Sequence, residues 1–148
     1  MRARDLAQLA PVVDRADSAT QALRVLITAG LPGLVVDMAG SLVVVPASQV
    51  LRGTLPRYVL DDPSLARVWD EASADELTRR LDAKSAGDLV TALDRHQGEP
   101  DHVVTGDATM VEVAAVMSAA RLPLVAVVDD GSYVGVVTVN RLVEALLA

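Results

Sequence analysis

The stretch that decides the fold is VVTGDATMVEVAAVMSAARLPLVAVVDDGSYVGVVTVNRL, Val103–Leu142. Displaced by 91 positions, Val12–Leu51 (VVDRADSATQALRVLITAGLPGLVVDMAGSLVVVPASQVL) falls on it without a gap, and twelve of the forty positions are identical. Valine is common in this chain, so the aligned Leu31-Pro32/Leu122-Pro123 and Gly40-Ser41/Gly131-Ser132 pairs carry more weight than the Val matches. Self-similarity at a fixed displacement sets the architecture before any single element does.

Within each copy the pattern reads β-α-β-β-α. Val103–Thr105 is a short strand. Thr109-Met-Val-Glu112 is a capping box, in which hydroxyl and carboxylate satisfy the orphan N–H groups of a helix start. Val113, Val116, Met117 and Ala120 make that helix's inner stripe. Leu124–Val128 and Tyr133–Val137 flank Asp129-Asp-Gly131, a hairpin signal, and Thr138 caps a last helix over Asn140–Leu147. The first copy repeats the order. It has Val12-Val13, a Ser18–Gln21 box, a helix stopping at Gly30, and a hairpin of Leu34–Asp37 and Leu42–Val45 about Ala39-Gly40. A possible helix start follows at Ser48–Leu51. Ser/Thr and Gln/Glu differ in letter and share the chemistry, so the boxes support the repeat independently of the identities.

Residues 53–101 lie between the copies and read as a helical insert. Asp62-Pro63 is a helix start with proline at the first position, with Leu65, Val68 and Trp69 on one face. Ser73–Glu76 is a third capping box, and Ser85–Leu93 is one more helix carrying Leu89, Val90 and Leu93. The expected organisation is a first repeat at 1–52, the insert at 53–101 and a second repeat at 102–148. The fold class is α+β, two pseudo-symmetric repeats packed as one module.

Composition narrows the function. The net charge of −7 disfavours a nucleic-acid surface, which needs clustered Lys and Arg, and three aromatics are too few for a base-stacking platform. No apolar run is long enough to span a bilayer, and no signal-peptide core follows Met1, so a cytoplasmic protein is expected. With no cysteine, disulfides and thiolate chemistry are excluded. His96 and His102 flank a Gly-Pro break with no partner at metal-binding spacing. Asp61-Asp62 and Asp129-Asp130 sit at a helix start and a turn, where Asp is ordinary. No nucleophile triad, P-loop or dinucleotide fingerprint occurs, so the chain is read as non-catalytic.

Leu-Pro before the middle strand, Asp-Gly in the hairpin and Gly135-Val-Val-Thr138 closing it resemble the CBS domain, and two copies resemble a tandem CBS pair, or Bateman module. The resemblance implies a central cleft for an adenosine-containing ligand such as AMP, ADP, ATP or S-adenosylmethionine. It also implies a Thr hydroxyl at a helix N-terminus meeting phosphate, a homodimer built through the helices, and an Asp three residues after the Thr gripping the ribose. Here Arg141 stands at that position in the second copy, and Ala47 and Val50 replace both anchors in the first. Candidate ligand residues are Thr105, Arg121, Pro123, Thr138, Asn140 and Arg141, with Arg141 suited to a bidentate phosphate contact. Each also has a structural reading: Thr138 as helix cap, Arg121 and Arg141 as surface cations, Thr105 as turn residue, Pro123 as strand entry. Two functions follow from the resemblance: a sensor of an adenine nucleotide or related adenosyl ligand, or a ligand-free adaptor for dimerisation or protein–protein interaction.

Overall fold

A computed structural model describes the chain over residues 1–148, with side chains described for all but residues 71–73. Each repeat forms a three-stranded sheet. In the first, β1 (Val12–Asp14) pairs parallel with β2 (Gly33–Met38), and β2 pairs antiparallel with β3 (Ser41–Pro46). In the second, β4 (Val103–Thr105), β5 (Leu124–Asp129) and β6 (Ser132–Thr138) pair in the same way. Helices α2 (Ala19–Ala29) and α6 (Met110–Ala120) make the crossovers. The β5 run Leu124–Val127 is fully buried, as expected of a strand covered on both faces. The first copy closes in a 3₁₀ helix, Ala47–Gly53, where the second has α7 (Val139–Leu147).

The two crossover helices are capped unequally. Thr109 Oγ1 accepts from Glu112 N–H, and Glu112 returns a carboxylate oxygen to Thr109 N–H at 2.6 Å. Ser18 Oγ accepts from Gln21 N–H, but the reciprocal bond is absent among the described contacts. Thr109→Ala is therefore expected to cost about 1 kcal/mol. Ser18→Ala should cost less, and chemical unfolding of the two variants checks the order.

The insert is helical as read: α3 (Arg57–Asp61), a 3₁₀ segment Pro63–Val68, α4 (Glu71–Asp82) and α5 (Ala86–Thr91). Asp62 caps the 3₁₀ segment by accepting from Ser64 N–H. The expected Ser73–Glu76 box falls on a residue outside the described side chains. Leu65 and Val68 form no buried face: both are exposed, Val68 by 81%.

Two features were hidden by the ungapped repeat. The first is a second repetition, Ala3-Arg-Asp-Leu6 and Ala86-Gly-Asp-Leu89, displaced by 83. Helix α1 (Ala3–Leu6) lies on the second sheet, with Ala3 N–H donating to Ala108 O (2.9 Å) and Arg4 N–H to Gly106 O (3.0 Å). Helix α5 lies on the first sheet through the equivalent bonds, Ala86 N–H to Asp17 O (2.8 Å) and Gly87 N–H to Arg15 O (2.9 Å). Asp5 and Asp88 each accept from the backbone three residues before them. Leu6 and Leu89, both 1% exposed, enter opposite cores. Each repeat thus covers its partner's neighbourhood with a lead helix, and the cores interlock.

The second is a β-bulge. Val127 pairs with Gly135 and Val128 with Tyr133, so Val134 is an extra residue. Beyond it the repeats correspond at 92, not 91. Pro46, which pairs with Gly33, is the counterpart of Thr138, which pairs with Leu124. Buried Val50 answers buried Leu142, whereas Leu51 is exposed. The identities Val43/Val134, Val45/Val136 and Leu51/Leu142 are coincidences of an alignment one step out. Proline and Gln49, not Ala47 and Val50, occupy the first repeat's anchor positions.

Candidate functional site

Two clefts lie at pseudo-equivalent places between the repeats. The second-repeat cleft is formed where the Gly30-Leu31-Pro32 exit of α2 faces the start of α7, with Gln8 beside it. Pro123, Thr138, Asn140 and Arg141 all line it, so four of the six expected residues converge. Thr105 lies at the far end of the second sheet, beside Asp107 and Asp129. Arg121 lines the other cleft, opposite Pro46, Ser48 and Gln49. Arg121 caps α6 in the left-handed region at φ 54°, the conformation Gly30 takes in the first copy at φ 64°.

Thr138 is the N-cap of α7: its Oγ1 accepts from Arg141 N–H at 3.1 Å. The hydroxyl proton is left to donate into the cleft, at a helix end whose free N–H groups favour an anion. Arg141 reaches Glu144 only at 3.9 Å, with over a third of its side chain exposed. Such a loose surface pair contributes little stability and leaves the guanidinium free to turn. The cavity is about 540 Å³, inside the roughly 300–1,000 Å³ usual for small-molecule sites.

The first-repeat cleft is narrower, about 160 Å³. The residues joining lead helix to first strand explain why. The segment after α1 needs five residues to reach β1. Counted from Leu89, the counterpart of Leu6, the segment to β4 carries eight residues more, the difference between displacements of 91 and 83. That longer segment turns inward. His102 is 3% exposed, its Nδ1 accepts from Val44 N–H at 3.0 Å, and its Nε2 lies 3.1 Å from Glu99 Oε2. Arg95 approaches Glu99 at 3.5 Å. Burial pushes the Glu99 carboxyl up, but hydrogen bonds from the His102 ring and the His96 backbone outweigh it and hold the group below its ordinary range.

The edge strands show the same exchange. In the second repeat Val136 N–H donates to Gln8 O, and Gln8 N–H to Val136 O, both at 2.9 Å. Val44 is the counterpart of Val136, and there an imidazole nitrogen takes the place of that carbonyl. Gly135 permits the backbone approach, since a Cβ there would sit 2.4 Å from Gln8 O. Val43 stands at the equivalent position, so a side chain serves the strand instead.

At the far end, Arg4 pairs with both Asp107 and Asp129, fastening α1 to the second repeat. The Arg4 hydrogen bond holds the Asp129 carboxyl below its ordinary value. Tyr133 donates its hydroxyl to Ala10 O at 2.8 Å, and burial pushes its pKa up to about 12. Sequence reasoning missed Gln8 and Arg95; the signal pointing to the segments that carry them is the repeated Ala-x-Asp-Leu.

A tandem of β-α-β-β-α units with exchanged lead helices and paired clefts defines a CBS pair. The CBS-domain family model matches residues 99–148. A CBS domain-containing protein of unknown function from Kribbella flavida is 41% identical, with a TM-score of 0.76, over 100% of this chain and 99% of that one. The chain belongs to the CBS domain family. The CBS-pair protein CBSX2 of Arabidopsis thaliana shares the fold at 23% identity and TM-score 0.66, covering 99% of this chain and 94% of its own. The CBS domain of a membrane protein from Sphaerobacter thermophilus does so at 20% and 0.67, covering 97% and 86%. No curated protein matches the chain. Among the described residues no helix is long and apolar enough to cross a membrane.

Proposed function

We propose that this CBS pair is a non-catalytic, cytoplasmic regulatory module that binds an adenine nucleotide in the second-repeat cleft. The observation that carries the reading is the convergence of Thr138, Asn140, Arg141 and Pro123 on one open cavity at the N-terminus of α7. Thr138 and the helix end receive the phosphate, with Arg141 as its counter-charge. Asn140 takes a sugar hydroxyl, the role left open by the missing Asp. A structure of CBSX2, 22% identical to this chain, is a complex with AMP, which makes AMP the first ligand to try. Residues 30–32 and 138–141 come from different repeats, so a ligand there touches both. It signals only by binding one repeat arrangement better than another.

A thermal-melt series with about 1 mM AMP, ADP, ATP, S-adenosylmethionine and a guanine nucleotide tests the reading. A ligand at roughly 100 times its dissociation constant adds about 2.7 kcal/mol. The midpoint should then rise by roughly 5–10 °C for an adenine compound. Thr138→Ala and Arg141→Ala should each shrink the shift, and a full shift in both variants would move the site elsewhere.

A second reading is a ligand-free homodimeric adaptor. Val139, Val143, Leu146 and Leu147 on α7 are exposed, as is Val111 on α6. That apolar face suits association with a second copy. Flat melts together with a dimer in sedimentation would favour it.

A further inference from the structure

We propose that residues 94–102 are a built-in latch that fills the first-repeat cleft and is released when His102 is protonated. Both ring nitrogens of His102, a residue 3% exposed, are committed. Nε2 faces the Glu99 carboxylate and carries the proton, which leaves Nδ1 bare to accept Val44 N–H. A backbone N–H donates and cannot accept, so a second ring proton would point a donor at a donor across 3.0 Å. An imidazolium fits only after the ring leaves the β3 edge. Histidine is the side chain whose charge ordinarily changes between about pH 5 and 8.

The surroundings are mixed in sign. Glu99 lies at Nε2 of the ring, and Arg95 is held against Glu99. Asp94 and Arg121 stand at the rim of the cleft, and Asp37 and Asp101 lie on the opposite side of His102. The acceptor for the Val44 N–H is the ring nitrogen and none of these charged groups. Release has a defined reach. The His102 backbone carbonyl accepts from Ala126 N–H at 3.0 Å and begins the second sheet. Ring and carbonyl together therefore tie β3 of one repeat to β5 of the other. Freeing the ring opens the cleft and loosens that tie. The latch does not depend on what the second-repeat cleft binds.

Amide hydrogen exchange of the full chain at about pH 7.5 and pH 5.5, corrected for intrinsic rates, tests it. Val136, whose N–H is held by the Gln8 carbonyl, is an internal reference. Val44 protection should fall at least about tenfold relative to Val136 on acidification. In His102→Gln, whose amide oxygen accepts from Val44 and whose amide N–H donates to Glu99, the fall should vanish. Val44 and Val136 moving together, or His102→Gln behaving as the wild type, would overturn the proposal. Should that variant not fold, ring NMR of the wild type decides. A His102 cation appearing in step with Val44 deprotection supports the latch. A cation with Val44 still protected, or no cation down to about pH 5, contradicts it.

Discussion

Gly135→Ala is expected to lower the unfolding free energy by about 3 kcal/mol, in the range left by backbone strain plus a steric clash. At this chain length that moves the thermal midpoint down by roughly 6–12 °C. Gly135 sits at φ 146°, and an added Cβ meets Gln8 O at 2.4 Å and Gln8 C at 2.9 Å. Those atoms are backbone and cannot swing away. The lead segment must come off β6 or the bulge must be rebuilt, and either breaks the paired Gln8–Val136 bonds. Gly131→Ala is the control: φ is 77°, but nothing lies within 4 Å of the added carbon. It should cost about 1 kcal/mol, the conformational part alone. Equal losses in the two variants would mean that the close approach of Gln8 contributes nothing.

His102→Leu is expected to cost about 3 kcal/mol, although leucine is apolar and fits a buried position. The loss comes from what the ring leaves behind: a buried Val44 N–H without an acceptor and a buried Glu99 carboxylate that has lost its hydrogen bond from the ring and, among the described side chains, keeps only the longer contact with Arg95. Adding Glu99→Gln to His102→Leu should recover part of the loss by removing the under-partnered charge, and urea unfolding of both variants measures it. His102→Leu as stable as the wild type would show that the network is ornamental.

The strands, crossover helices and hairpins were legible because apolar runs, turn residues and caps recur at one displacement. Three further features were not. Val134 disguises a bulge, since an extra valine among valines leaves no gap and the aligned identities continue by chance. The Ala-x-Asp-Leu repetition escaped because it runs at 83 while the body runs at 91, and no single displacement shows both. His102 read only as a histidine beside a Gly-Pro break with no metal partner, because the group it serves, the Val44 N–H, lies on another element. On the candidate site, Pro123, Thr138, Asn140 and Arg141 were legible from the closing Gly-Val-Val-Thr, a local motif. Arg121 lines the other cleft and Thr105 the far end of the second sheet, a separation the sequence does not display because placing them requires knowing how two repeats face each other.

The most direct measurement is calorimetric titration of the chain with AMP and then ATP, read for stoichiometry. With one cleft of about 540 Å³ and the other narrowed to about 160 Å³ beside Glu99 and His102, near-neutral pH should show one nucleotide per chain, weakened at least about tenfold by Arg141→Ala. Two nucleotides per chain, or no binding of either, would contradict the account.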